Sequence, residues 1–188
     1  MREVKMDQAA ILLAEGFEEI EALTVVDVLR RGGVKIRMIS VTDQAVVTGK
    51  NGISVVADGL LAETDFTELT MLILPGGIPG VTNLRRQEDV RILVTRFMRQ
   101  RRVAAICAAP TLLGGWGLLD GRRITCYPRC GEDCQGALVL DEEVVTDGNL
   151  ITGRAMAGAL AFSLRILAVL TDAATAERVA QGIVYTKK

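Results

Sequence analysis

Val103-Ala104-Ala105-Ile106-Cys107-Ala108-Ala109-Pro110 is an apolar, strand-like run that stops at one cysteine and continues in small residues able to begin a helix. A strand-to-helix turn of this kind lifts the side chain at its apex out of the sheet. The helix that follows aims its first N–H groups, and the positive end of its dipole, at the sulfur. That setting favours thiolate, because a free thiol with a pKa of about 8.5 is pulled down beside a helix N-terminus. The same residues also fit a buried cysteine that merely ends a core strand. The chain has no histidine, so a Cys–His dyad within one polypeptide is excluded.

Outward from this turn, strand and helix alternate. An apolar run at 8–14 ends in Glu15-Gly16 and is followed by helical spacing over 18–31, closed by Gly32-Gly33. A second strand at 34–41 completes a βαβ unit, whose right-handed crossover makes the two strands parallel. Residues 46–58 read as a small hairpin turning at Asn51-Gly52. A buried strand at 70–74 runs into the glycine-rich loop 75–80, and a helix over 88–101 leads to the strand that ends at Cys107. Beyond it come a helix at 108–117, short strands at 123–126, 144–145 and 150–152, a turn at 147–149, and helices at 157–170 and 173–181. This pattern predicts an α/β doubly wound sandwich with a mostly parallel central sheet and helices on both faces. Without linkers or repeats, residues 1–188 read as one domain. Ligands in such a sheet sit beyond the carboxyl ends of the strands, which groups the loops at 15–21, 75–80 and 107 into one site.

Composition narrows the classes. The 188 residues are 49% hydrophobic, with 22 basic and 23 acidic side chains, and this near balance leaves no footprint for nucleic acid or a polybasic membrane surface. The amino terminus is polar, no apolar run approaches membrane-spanning length, and a cytoplasmic protein with reduced thiols is expected. Arg85, Arg86, Arg91, Arg96, Arg99, Arg101 and Arg102 read as the solvated sides of an amphipathic helix rather than an anion site.

A cysteine, a neighbouring carboxyl and glycine-rich N–H groups together supply a nucleophile, a proton carrier and an oxyanion site, which suits attack on an electrophilic carbonyl. Glu18, Glu19 and Glu21 are the candidate carboxylates, and helical geometry does not turn all three to one pocket. Glu21 shares a face with Phe17 and Val25. Burial there would raise its pKa and leave a protonated carboxyl able to donate to the Cys107 sulfur. All three also fit ordinary first-turn acids favouring the helix dipole.

Ala14-Glu15-Gly16-Phe17-Glu18-Glu19-Ile20-Glu21, Leu74-Pro75-Gly76-Gly77 and Ala105-Ile106-Cys107-Ala108-Ala109-Pro110, in this order across nearly the whole chain, resemble the ThiJ/PfpI superfamily, in the branch of the parkinsonism-associated deglycase and its bacterial relatives. The resemblance implies a flavodoxin-like sandwich, usually a homodimer. It makes Cys107 the reactive cysteine and Glu21 the acid that hydrogen-bonds it, with the N–H groups of Gly76, Gly77 and Ala108 facing the ligand. It also implies cofactor-free, metal-free conversion of methylglyoxal to lactate or repair of glycated proteins and nucleotides. The partners would be a small carbonyl substrate or a glycated protein. The alternative within the family is a redox-sensing or chaperone-like stress protein that works by oxidation of Cys107. Some members carry a thiamine-biosynthesis name, for which this chain shows no thiazole or phosphate motif. Peptidase activity is disfavoured, because such relatives use a histidine.

The family pattern commonly has histidine where this chain has Tyr127, a poor base at neutral pH with its ordinary pKa of about 10. Proton transfer therefore falls to Glu21. Cys126, Cys130 and Cys134 are spaced four apart and would form one stripe if helical. The spacing matches no common zinc pattern. Ordinary or redox-responsive thiols fit better than a metal or persulfide site, and a resolving cysteine for oxidised Cys107 is the more attractive special role. Arg154 would put a cation near the pocket or cap local backbone, and Trp116 reads as packing or a dimer contact.

Overall fold

The computed structural model describes residues 8–186; residues 1–7, read above as a polar terminus, and 187–188 lie outside the described residues. The chain runs through β1 (Gln8–Leu13), α1 (Glu19–Arg31), β2 (Lys35–Ser40), the hairpin β3 (Val46–Thr48) and β4 (Ser54–Val56), β5 (Gly59–Leu60) and β6 (Leu69–Leu74). Then come α2 (Gly80–Arg85), α3 (Glu88–Gln100), β7 (Arg102–Ile106), α4 (Pro110–Gly115), β8 (Arg123–Ile124), β9 (Leu138–Val139), β10 (Val144–Asp147), β11 (Leu150–Gly153), α5 (Ala159–Leu170) and α6 (Ala173–Gly182).

Seven strands form one sheet in the order β10-β11-β7-β6-β1-β2-β5. Every adjacent pair is parallel except the β10–β11 edge, which is antiparallel. A sheet covered on both faces needs apolar residues at every position of its central strands. β1 meets this need by sending Ala10 and Leu12 to one core and Ala9, Ile11 and Leu13 to the other. The first core packs β1, β6 and β7 against α3 and α4 through Phe97, Leu112 and Leu113. The second packs them against α1 and α5 through Val25, Leu29, Phe162 and Ile166. This is the doubly wound sandwich predicted from the alternation of elements, in the flavodoxin-like form that the family resemblance implied.

Several local expectations change. The helix expected over 108–117 is the shorter α4, which starts at Pro110 and is capped by Trp116, a partly buried residue packed on the first core. The cysteine segment is not helical: it is loop with a single 3-10 turn, Gly131–Asp133. Pro128 lacks the N–H that a helix would use, and Gly136 adopts φ 82. The arginines are not all solvated either. Arg101 donates to the Phe66, Thr67 and Leu69 carbonyls while lying over the Phe97 ring, and Arg85 binds the Thr111 hydroxyl at 3.0 Å. Two-residue β5 and β9 and the one-turn α2 lack the length to leave a periodic signal.

Asn149, read above only as part of a turn, fixes the strand that leads to Cys107. Its Nδ2 donates to the Met98 and Arg101 carbonyls, both at 2.7 Å, and its own carbonyl accepts from Val103 at 3.0 Å. Asn149→Ala leaves two carbonyls at the end of α3 without their donor, and we expect a loss of about 1–3 kcal/mol, read as a lower urea midpoint at unchanged slope.

Candidate active site

The site lies beyond the carboxyl ends of β1, β6 and β7, where two loops lock together. Glu18 N–H donates to Gly76 O at 2.9 Å and Gly80 N–H to Gly16 O at 3.0 Å. The approach is too close for side chains. A Cβ on Gly77, which sits at φ 94, would fall 2.5 Å from the Glu18 nitrogen and 2.7 Å from the Gly16 oxygen. One on Gly76 would fall 2.6 Å from Glu21 Oε2 and 2.7 Å from Cys107 Cβ. The glycine loop thus brings its backbone against both candidate functional side chains.

Cys107 is at the apex of the turn after β7 with φ 64, a left-handed conformation costing a non-glycine residue on the order of 1–3 kcal/mol. Backbone bonds on both sides hold it there: Cys107 N–H donates to Gly153 O at 2.9 Å, and Tyr127 N–H donates to Cys107 O at 2.8 Å. The conformation aims the thiol away from the sheet and into contact with Glu21.

The three acids at the start of α1 separate into three tasks. Glu19 is a clamp: Oε1 accepts from Asn51 N–H at 2.7 Å and Oε2 from Asn51 Nδ2 at 2.8 Å, pinning the β3–β4 hairpin. Burial opposes its charge, but these bonds outweigh burial and lower its pKa. Glu18 pairs with Lys50 Nζ at 3.2 Å. That bond, with the Glu18 charge, raises the pKa of Lys50, whose cation also feels Cys107 and Glu21. Sequence reasoning had placed Lys50 only in a hairpin turn; the compensating signal was the excess of acids opposite it. Glu21 alone enters the pocket and is 1% exposed.

Glu21 Oε2 accepts the Gly76 N–H at 2.9 Å, whereas Oε1 is buried without a partner of regular hydrogen-bond geometry. Burial pushes the carboxyl up to about 7, reinforced by the Glu18 charge and opposed by the Cys107 and Gly76 contacts and by Lys50. A proton on Oε1 converts the orphaned acceptor into a donor toward the sulfur. The Cys107 thiol is pushed up too, first by burial and then by the Glu21 carboxylate, with the Ala108 N–H pulling the other way. The expectation of a thiolate freely favoured by the helix end is therefore corrected. α4 begins three residues later, and its pull is outweighed unless the proton resides on Glu21. Glu21 is buried and Cys107 partly exposed, and two acids in contact titrate as a pair: the first proton leaves at about 7, and above that the pair holds one.

The predicted N–H donors also divide. Gly76 is committed to Glu21, so it is not a free oxyanion donor, and Ala108 faces the Cys107 sulfur. Gly77 keeps its N–H without an acceptor among the described residues. Tyr127 serves the site through its backbone, and its side chain is 43% exposed. Arg154 is not gathered with Cys107 and Glu21: it pairs with Asp141 and lines a separate cleft beside Cys126. Cys126 and Cys134 are both buried in the first core, and each shifts the titration of the other. Among the described residues no cluster of three or more histidine, cysteine or acidic side chains has the arrangement of a metal site, and no helix is long and apolar enough to cross a membrane.

A cysteine on a left-handed strand-to-helix apex, set against a buried carboxyl at the carboxyl edge of a mostly parallel sheet, places the chain among α/β sandwich proteins with a cysteine–carboxyl site. Residues 7–169 match the DJ-1/PfpI family, and the chain belongs to it. It is 37% identical over 160 residues to DJ-1 homolog B of Arabidopsis thaliana, covering 84% of this chain and 36% of that protein. It is 32% identical to dj-1beta of Drosophila melanogaster, covering 93% and 95% of the two chains. A protein named deglycase from Pyrococcus abyssi is 34% identical, with 77% and 87% covered. The chain spans well under half the length of the Arabidopsis relatives, 36% and 44% of the two. The crystal structure of a mutant DJ-1 superfamily protein from Salmonella typhimurium superposes with a TM-score of 0.92 at 33% identity, covering 97% of this chain and 100% of that one.

The raised Glu21 pKa has a consequence for stability. The folded protein holds this proton up to about 7, whereas the unfolded chain releases it at the ordinary value of 4.5. Stability is therefore lost as pH rises from 4.5 through 7, by on the order of 3 kcal/mol from this group. Glu21→Gln removes the titration while keeping an acceptor for Gly76 and a donor toward the sulfur. Denaturant unfolding of both proteins should show the variant gaining on the wild type by about that amount between pH 4.5 and 8; parallel pH profiles would contradict the assignment.

Proposed function

We propose that the protein is a cysteine-dependent, cofactor-free enzyme of the deglycase and glyoxalase type, acting on methylglyoxal-like dicarbonyls or the early adducts they form on proteins. The observation that carries this reading is the buried Glu21 carboxyl set against the Cys107 thiol at the left-handed turn after β7, because the reaction needs a nucleophile and a proton carrier together. The deglycase name of the Pyrococcus relative supports the substrate class.

In this mechanism the Cys107 sulfur adds to the aldehyde carbon of methylglyoxal. As the C–S bond forms, the thiol proton passes to Glu21 and from Glu21 to the carbonyl oxygen, whose developing negative charge accepts it to give a hydroxyl and leaves Glu21 as a carboxylate. Gly77 N–H is the free donor for that charge. Lys50, held by Glu18, adds a cation at the edge of the site. Glu21 then takes the proton from the former aldehyde carbon, the electron pair forms an enediol, and the proton returns to the neighbouring carbon. The product is a lactoyl thioester, which water cleaves to lactate with return of the thiol proton. The oxidation of one carbon balances the reduction of the other, so no external redox partner is required. The same reading includes a homodimer: Ile20, Ile53 and Leu160 are exposed around a shallow apolar depression beside α1, suited to a second copy of the chain.

Lactate formation from methylglyoxal, followed by NMR, tests the mechanism. Wild-type protein should produce lactate. Cys107→Ser should abolish it, and Glu21→Gln should lower the rate by roughly 10²–10⁴-fold while the thiol stays alkylatable. A folded, thiol-reactive wild type that makes no lactate would overturn this reading in favour of redox sensing at Cys107.

A further inference from the structure

The catalytic reading leaves three of the four cysteines unused, and the structure separates them. Cys126 follows β8, and Cys134 ends the 3-10 turn at Gly131–Asp133. They are 3% and 2% exposed, and both pack in the first core, where Cys130 is only a partly buried neighbour. Cys134 Sγ–H donates to Cys130 O at 3.3 Å, and the Cys126 and Cys134 sulfurs are near enough for each to shift the titration of the other. On its far side the Cys134 backbone lies against Gly114 of α4, where a Cβ on the glycine would come within 2.7 Å of Cys134 Cα. Neither cysteine is free to drift from the other. Cys126 also borders a cleft of about 240 Å³, lined by Pro128, Val139, Leu140, Asp141 and Arg154. That cleft gives a small polar reagent a route to one sulfur of the pair.

We propose that Cys126 and Cys134 are a second redox site, a dithiol that a hydroperoxide closes to an intrachain disulfide independently of Cys107. The electrostatics divide the labour between the two sulfurs. Hydrogen bonding from Cys134 and the Arg154 cation lower the Cys126 thiol against the effect of burial, while Cys134, as the donor, is held up. Cys126 is thus the sulfur that reacts first. Its thiolate attacks the terminal peroxide oxygen: an S–O bond forms, the O–O bond breaks, and the departing alkoxide or hydroxide takes a proton. The Cys126 sulfenic acid is then attacked by the Cys134 sulfur. The S–S bond forms, the S–O bond breaks, and the leaving hydroxide combines with the Cys134 proton as water. Two thiols are oxidised and one peroxide is reduced. Sulfurs this near each other need only the last approach to a bonding distance of about 2.05 Å.

This site differs from the expected use of these cysteines as resolving partners for Cys107, and it does not depend on the catalytic reading. Cleavage after Arg129 and Arg154 places Cys126 in the tryptic peptide 124–129 and both Cys130 and Cys134 in 130–154, so a Cys126 disulfide links two separate peptides. The protein used is Cys107→Ala, reduced, treated with hydrogen peroxide, alkylated and digested without reductant. We expect the two peptides linked, lighter by two hydrogens than their sum and separated by dithiothreitol. The link should persist when Cys130→Ser is added and vanish with Cys134→Ser, where dimedone should instead trap Cys126 as sulfenic acid. If Cys134→Ser fails to fold, the Cys107→Ala/Cys130→Ser protein still decides, since only Cys126 and Cys134 remain in it. Full alkylation of both thiols after peroxide, or a link that requires Cys130 or Cys107, would overturn the proposal.

Discussion

The contact on which the site depends is between the Glu21 carboxyl and the Cys107 sulfur, two groups that cannot both be charged in so dry a place. Burial raises both, and each makes ionisation of the other harder. One proton between them resolves the conflict. The neighbouring structure then follows from the need to hold such a pair without water. Gly76 supplies an N–H to one carboxyl oxygen and, by lacking a Cβ, leaves room for both side chains. The left-handed backbone at Cys107 turns the sulfur toward the Glu21 carboxyl, and the Gly153 and Tyr127 backbone bonds hold that turn. Such a pair lowers stability as pH rises, and perturbed groups of this kind concentrate at functional sites.

The acids around this pair show how one helix start serves three ends. A cluster of carboxylates near a buried carboxyl would normally drive it further toward neutrality. Here Glu18 does so, but its charge is matched by Lys50, which reaches in from the β3–β4 hairpin. Glu19 holds that hairpin in place through Asn51. The hairpin is therefore the means by which a cation is delivered to the rim, and Glu19 acts on the chemistry through Lys50.

The order and type of the principal strands and helices were legible because doubly covered strands must be apolar throughout, and β1, β6 and β7 are. The grouping of the Glu21 and Cys107 segments was legible because their loops converge at the carboxyl ends of such strands, but the choice of Glu21 among three neighbouring acids came from the family resemblance and not from the spacing. What escaped the sequence depended on distances along the chain that carry no period. Lys50 meets Glu18 across 32 residues. The arginines looked like one solvated face, yet Arg101 spends its guanidinium on three carbonyls. The cysteines at intervals of four would share a stripe only on a helix, and the segment is instead a loop with one 3-10 turn that still places Cys126 and Cys134 in the same core. Periodicity names an element only when backbone hydrogen bonding is free to follow it.

The two thiol centres share structural elements, which limits how separately they behave. Tyr127 N–H holds the Cys107 carbonyl, and Tyr127 follows Cys126 directly in the chain; Cys134 rests on Gly114 of α4, the helix that begins just after Cys107. The glycine at 114 permits that contact and leaves no slack in it. A change at Cys126 or Cys134 therefore acts on the support of the Cys107 turn from two directions, through Tyr127 and through α4. Because a close-packed interior transmits small displacements rather than absorbing them, the left-handed turn at Cys107 is the element most exposed to the state of the neighbouring pair.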